Sequence, residues 1–161
     1  MNALLWPLAL LACVALQWLF SFWTFLGATP QFALVATVAV AVIRGPAAGE
    51  TFGFTAGLLI DALGAHLFGA NALALTLIGY AVGRLRRQMD ASLAPPQMAV
   101  VGLLSWVHFA LLGLIGSVFI GKFSLRPVQG LLLLPLYNAL LAPFVFGWMQ
   151  RFRVKEGPQT L

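Results

Sequence analysis

A carboxylate within an apolar, glycine-rich stretch is the first residue of this chain whose type and position could support chemistry. Asp61 continues a series of three glycines spaced four residues apart, namely Gly49, Gly53 and Gly57. Positions four apart lie on one face of an α-helix, so these residues form a narrow stripe. Small residues let a second helix approach closely in lipid, and an acid at membrane depth is a candidate for function. We therefore expect this helix to lie at the centre of the protein.

Two readings of Asp61 are open from the sequence. In the first, Asp61 is a buried acid that binds an ion, a ligand group or a partner helix. In the second, it is a carboxylate at a helix end that is partly hydrated or hydrogen-bonded to nearby backbone. The depth of Asp61 decides between them, and sequence does not give depth to better than one helical turn.

Further small and polar residues lie within the other apolar segments. Asn138 is flanked by Pro135 and Pro143. Proline frees backbone carbonyls in a helix and can kink it, and the asparagine side chain could satisfy groups on a neighbouring helix. A second group lies between residues 70 and 83 and comprises Asn71, Gly79 and Gly83. Together with the glycine stripe and Asp61, these residues are our candidates for helix packing or partner binding.

Residues that could catalyse a reaction lack a supporting pattern. Ser105 and His108 lie on one predicted helix with no hydrolase motif around them. The two histidines do not form a His-x-x-x-His or Glu-x-x-His pair, and the single cysteine, Cys13, excludes an internal disulfide. We expect no enzymatic activity, no cofactor and no metal site.

The composition is that of an integral membrane protein. Of the 161 residues, 61% are apolar and only 8% are charged, and the mean hydropathy is +0.97. The net charge of +5 comes from few residues, grouped between apolar segments and near the C-terminus. Charges placed in this way fix orientation in a bilayer, and we expect no binding to nucleic acid.

The apolar segments predict an all-α membrane protein with one transmembrane domain over residues 1–161. We expect a compact bundle of six transmembrane helices at about residues 4–26, 30–43, 47–63, 70–83, 97–120 and 127–148, followed by a basic tail at 149–161. Segment 2 would be only ~21 Å long. It must therefore lie in a thinned bilayer, be shielded by its neighbours, or be re-entrant, which would leave five spans and one re-entrant helix.

The distribution of basic residues predicts the orientation. Six spans place seven basic residues on one face of the membrane, namely Arg44, Arg84, Arg86, Arg87, Arg151, Arg153 and Lys155, and leave Lys122 and Arg126 on the other. Cytoplasmic loops are the basic ones, so we expect both termini and the loop after Arg84 in the cytoplasm. A re-entrant segment 2 would keep the C-terminus inside and move the N-terminus outside.

The order of several motifs resembles a known family. Arg-Gly-Pro at 44–46 ends a short apolar helix, and Gly-x-x-x-Gly-Leu-Leu-x-Asp follows at 53–61. The series continues with Gly-Ala-Asn-Ala-Leu-Ala-Leu at 69–75, Gly-Tyr-Ala-Val-Gly-Arg at 79–84 and Pro-Leu-Tyr-Asn-Ala-Leu-Leu-Ala-Pro at 135–143. In order and spacing, the chain resembles the rod shape-determining protein MreD family over essentially its whole length.

This resemblance implies a fold, a location and partners. MreD-like proteins are components of the bacterial inner membrane and of the machinery that builds the lateral cell wall. The family associates with MreC and, through it, with the glycosyltransferase RodA and its partner transpeptidase. Its fold is similar to the six-helix substrate-binding subunits of energy-coupling-factor (ECF) vitamin transporters. No enzymatic activity is ascribed to it, and self-association is left open.

Two functions from different classes follow. The first is a non-catalytic membrane scaffold of the cell-elongation (Rod) complex that binds an MreC-like protein and helps control peptidoglycan synthesis and rod shape. The second is a small-molecule-binding membrane subunit of an ECF-like transporter, with Asp61, beside the loop that contains His66, at the mouth of the ligand site. A solute site needs several convergent polar groups, and the sequence shows few of them.

Overall fold

Apolar runs separated by glycine- and proline-containing breaks fold into α-helices throughout the described part of the chain. The computed structural model describes residues 5–21, 29–64, 67–88, 93–120 and 128–150. Over these residues it contains no strand and six α-helices: α1 Leu5–Ser21, α2 Phe32–Arg44, α3 Pro46–Leu63, α4 Ala70–Leu85, α5 Ala94–Ile120 and α6 Val128–Gln150. A single 3₁₀ turn, Arg86–Gln88, follows α4. The expected all-α class is confirmed.

The central helix is α2. It is built almost entirely from alanine and β-branched or aliphatic residues, and every residue from Phe32 to Val42 is buried. It packs against each of the other five helices. The expectation that segment 3 lies at the centre is therefore wrong, because α3 lies beside α2 and packs against α1, α2 and α4. Helix α2 is short, and the other five helices shield it on all sides.

A sharp turn joins α2 to α3. Gly45 has φ +98°, a backbone conformation that residues with a side chain rarely adopt, and its N–H donates to the carbonyl of Ala41 at 2.8 Å. Pro46 then starts α3, where the missing N–H of proline leaves no hydrogen bond unmade. The chain thus reverses within one residue, and α3 returns antiparallel alongside α2.

The glycine stripe is the surface with which α3 contacts α4 and, at Gly49 and Gly53, also α2. A Cβ atom built on Gly49 would lie 2.5 Å from the Cβ of Ala41 and 2.6 Å from the carbonyl oxygen of Gly79. On Gly57 it would lie 2.5 Å from the Cα of Ala72. Only hydrogen fits at these positions, so the two backbones approach more closely than side chains would allow.

Helices α5 and α6 pack against each other, and they meet the rest of the bundle mainly where α6 contacts α2 and α5 contacts α4. Residues 94–119 and 132–150 are each long and apolar enough to cross a membrane. Helix α6 continues through Pro135 and Pro143, which the sequence placed inside segment 6. Many large apolar side chains are exposed on these helices, as expected for residues that face lipid.

Helix boundaries differ from expectation where proline or arginine was taken as a stop. Helix α5 starts at Ala94, with Pro95 and Pro96 in its first turn, because first-turn N–H groups have no acceptor within the helix. Arg84 lies in the last turn of α4 and not in a loop. Arg151, Arg153 and the rest of the tail lie outside the described residues. Six spans, a re-entrant segment 2, the single transmembrane domain and the ECF-like fold stay predictions.

We expect Gly53→Ala to destabilise the protein, because a Cβ at this position collides with the backbone of Leu75 on α4. Overpacking of this kind costs about 1–3 kcal/mol. The matched control is Gly147→Ala on α6, where a Cβ would meet nothing within 4 Å. Because alanine is the better helix former, the control should be neutral or stabilising by up to about 1 kcal/mol. Thermal unfolding of the purified variants in detergent measures both, and equal stability of the two variants would contradict the assigned packing.

Candidate functional site

Asp61 lies at the end of the glycine stripe and is 3% exposed. Its carboxylate accepts four hydrogen bonds from the start of α4. Oδ2 accepts from the N–H of Gly69 at 3.0 Å and of Ala72 at 3.0 Å. Oδ1 accepts from the N–H of Asn71 at 3.2 Å and from its Nδ2 at 2.8 Å. We call these four residues the Asp61 cluster.

The Asp61 cluster closes the N-terminus of α4. The first N–H groups of a helix lack partners within the helix, and its N-terminus carries partial positive charge. Gly69, at the N-cap position, has φ +92° and makes no side-chain cap. The carboxylate from α3 therefore takes the place of a local cap. This arrangement corresponds to the second reading of Asp61, a helix-end acid bound to nearby backbone.

Asn138 does the same for α2. It is fully buried, and its Oδ1 accepts from the backbone N–H of Gln31 at 2.8 Å. Gln31 is the N-cap residue of α2 and makes no cap with its own side chain. Asn138 Nδ2 donates to Ser105 Oγ of α5 at 2.9 Å and to Gln31 Oε1 at 3.3 Å. These three residues form the Asn138 cluster, which joins α2, α5 and α6.

Ser105 belongs to the Asn138 cluster, and its hydroxyl is used in the hydrogen bonds of that cluster. Its hydroxyl donates to the carbonyl of Val101 at 2.8 Å and accepts from Asn138. A nucleophilic serine would donate its proton to a base such as histidine, and here the proton is directed to a backbone carbonyl. His108, also on α5, is buried. The geometry of Ser105 is that of a packing residue.

The two clusters lie at a similar level along the bundle. Cβ atoms built on Gly49 and Gly53 meet Ala41 and Thr37 of α2, respectively. Because α2 and α3 are antiparallel, one turn forward on α3 corresponds to one turn back on α2. Continuing this pairing by two more turns of α3 places Asp61 about one turn, or ~5 Å, beyond the start of α2. Asn138 caps that same start, so both polar clusters close helices near one level of the protein.

The opposite end of the bundle is basic. A Cβ on Gly45 would lie 2.9 Å from Nη1 of Arg86, so this guanidinium rests against the turn between α2 and α3. Arg44 lies in the last turn of α2, and both Arg84 and Arg87 are exposed. Three of the residues predicted to set the topology, Arg84, Arg86 and Arg87, therefore lie together at one end.

The structure groups the candidate residues in a way that only partly follows the sequence. Asp61 meets Asn71, Gly49 meets Gly79, and Gly83 lies against Pro46. Asn138 forms a separate cluster. Gln31 was missed as a member of that cluster, because glutamine is not among the preferred N-cap residues and the segment was expected to begin at residue 30. Within the described residues, no three His, Cys, Asp or Glu side chains come together as a metal site would require.

We expect Asp61→Asn to cost about 2–3 kcal/mol of stability, because an amide nitrogen would replace one acceptor oxygen and face backbone donors. Asn71→Ala removes one of the four hydrogen bonds and should cost about 1 kcal/mol. Thermal unfolding in detergent measures both variants. Hydrogen exchange at the amides of Gly69 and Ala72 should accelerate in Asp61→Asn. Unchanged exchange at these two amides would contradict the capping role.

Comparison with known proteins gives one family. The sequence profile described as rod shape-determining protein MreD matches residues 1–152, a range that contains every residue of the six helices. No curated protein and no solved structure matches the chain. The family is one of membrane proteins, in keeping with the two helices that are long and apolar enough to cross a bilayer. By the extent of this match, the chain belongs to the MreD family of rod shape-determining proteins.

Proposed function

We propose that this chain is a non-catalytic membrane scaffold of the bacterial cell-elongation (Rod) complex, acting in rod shape determination through its partners. The observation that carries the proposal is the use made of its intramembrane polar groups. Asp61 and Asn138 both close helix starts within the bundle. Their hydrogen bonds are made to the chain's own backbone and side chains, which leaves the outer apolar faces for association with other membrane proteins.

The partner of first choice is the membrane helix of an MreC-like protein, through which RodA and its transpeptidase join the complex. The glycine stripe is covered by α4, so a partner helix could reach Gly53 only by displacing α4. The exposed face of α6 is the better surface. Four large apolar residues follow each other there at intervals of four, Leu132, Leu136, Leu140 and Phe144, and all are exposed. Gly147, three residues on, has open space beside it and permits close approach of a second helix.

The alternative, a solute-binding transporter subunit, is not favoured. Its ligand mouth depended on Asp61 and on His66, which lies outside the described residues. Asp61 is buried and already accepts four hydrogen bonds from α4. A solute would have to displace the cap of a helix in order to reach this carboxylate.

The proposed location is the bacterial inner membrane, with the chain crossing it several times. In this orientation the end that bears Arg84, Arg86 and Arg87 faces the cytoplasm and the Asp61 cluster faces the periplasm. The positive-inside rule supports this placement. Both termini are then cytoplasmic if all six segments span.

Cysteine labelling tests the orientation. In a Cys13→Ala background, Leu63→Cys and Leu85→Cys each place one thiol at a half-exposed position, at opposite ends of the α3–α4 pair. A membrane-impermeant maleimide applied to intact spheroplasts should label the cysteine at 63 and leave the one at 85 unlabelled until lysis. The reverse pattern would place the arginines in the periplasm and overturn the proposed orientation.

Co-purification tests the scaffold. The tagged chain, co-expressed with the MreC-like protein of its own organism, should capture that protein. Replacing Leu136 and Leu140 together with alanine should lower capture by about tenfold, equivalent to about 1.4 kcal/mol. A few lost van der Waals contacts per leucine, at roughly 0.1–0.2 kcal/mol each, account for a loss of that size.

A matched control uses two leucines on α4 with the same spacing and exposure. Leu73 and Leu77 are 49% and 48% exposed, against 53% and 51% for Leu136 and Leu140. The double alanine variant at 73 and 77 should retain capture of the MreC-like protein. Equal loss in both double variants would remove α6 as the partner surface. Failure of the unaltered chain to capture the MreC-like protein would overturn the scaffold proposal.

A further inference from the structure

The face of α4 that points away from the glycine stripe carries a graded series of exposed side chains. Leu73, Leu77, Tyr80 and Arg84 follow each other at intervals of four, three and four, which places them on one side of the helix. All four are exposed, and Arg87 continues the series into the 3₁₀ turn. We call these five residues the α4 outer stripe.

The α4 outer stripe has the length and the polarity gradient of one lipid leaflet. From Leu73 to Arg84 the helix rises ~16 Å, about half of a ~30 Å hydrocarbon core. Two leucines occupy its apolar part. Tyr80 follows, and tyrosine is enriched where hydrocarbon meets headgroups. The arginines come last, at the level of the phosphates.

The charged end of the stripe is strongly basic. Helix α4 and its 3₁₀ turn contain three arginines, Arg84, Arg86 and Arg87, and no acidic residue. Within the residues that the structure describes, no carboxylate forms an ion pair with any of these three arginines. Arginine presents a planar set of donors that binds phosphate in a bidentate manner.

The geometry points to a binding site on the α4 outer stripe for an anionic phospholipid, such as phosphatidylglycerol. The phosphate lies between Arg84 and Arg87, and Arg86 adds positive charge from the adjacent turn. The acyl chains run along Leu77 and Leu73 toward the bilayer centre, with Tyr80 at the ester groups. The site lies on a different helix from the α6 partner surface and does not depend on it.

Native mass spectrometry of the full chain, released from detergent, tests this site. Dioleoylphosphatidylglycerol should give a retained one-to-one adduct, and dioleoylphosphatidylcholine at the same concentration should give much less. Each basic residue near an anionic surface raises the affinity about fivefold. Replacing both Arg84 and Arg87 with glutamine should therefore lower the affinity for phosphatidylglycerol roughly 30-fold. Glycerol phosphate, the soluble headgroup, should not displace the lipid, because the acyl chains supply part of the binding.

Two controls separate a defined site from general surface charge. Arg151→Gln with Arg153→Gln removes the same charge from the tail and should change phosphatidylglycerol binding by less than about twofold. Arg84→Lys with Arg87→Lys keeps the charge, and with it the membrane orientation, and should lose only a few-fold through the poorer phosphate geometry. Equal weakening by the stripe and tail pairs, or equal retention of the two lipids, would overturn the proposal. Thermal unfolding confirms that each variant is folded.

Discussion

The structure depends on one constraint, which is that a helix starting away from water must find partners for its first backbone N–H groups. In lipid an unsatisfied N–H costs several kcal/mol. Neither α2 nor α4 makes a side-chain cap of its own, and each takes its partner from another helix. Asn138 of α6 serves α2, and Asp61 of α3 serves α4. These two polar side chains therefore fix where the helices begin and hold them to their neighbours.

The same constraint accounts for the arrangement of short and long helices. Helix α5 has 27 residues and α6 has 23, whereas α2 has 13. From Asn138 back to the start of α6 is 10 residues, so α6 extends ~15 Å beyond the start of α2. A short helix is tolerated at the centre because Asn138 of α6 accepts a hydrogen bond from the backbone N–H of its N-cap residue. The glycines then allow α3 and α4 to pack closely enough for Asp61 to reach the first turn of α4.

The proposed function rests on the surface that remains after the polar groups have formed hydrogen bonds inside the bundle. The outer surface has largely apolar faces, which differ in the size of their side chains and in whether charged residues follow. Such faces bind membrane proteins and lipids better than they bind a polar solute. On α6 the exposed residues are uniformly apolar between Leu132 and Phe144, which favours a partner helix. On α4 they change from leucine to tyrosine to arginine, which favours a phospholipid. In the scaffold role proposed for this chain, these two faces would hold its partner at a defined depth in the membrane.

The sequence by itself determined the class, the helices and the existence of a close-packed stripe, because composition and i, i+4 spacing are local properties. Where the structure describes them, helix ends agreed to within a few residues and differed where Pro95 or Arg84 could belong either to a loop or to a helix turn, whereas the predicted end of segment 1 at residue 26 lies outside the described residues. Only the tertiary structure decided that α2 is central and that α4 covers the glycine stripe. It also decided which amides Asp61 and Asn138 serve. Gln31 and Asn138 are 107 residues apart in the chain, and no local periodicity relates two positions so distant. Their contact depends on how six apolar helices pack. Because the hydrophobic surfaces of these helices are similar, those surfaces alone do not determine one arrangement, and the buried polar groups select it.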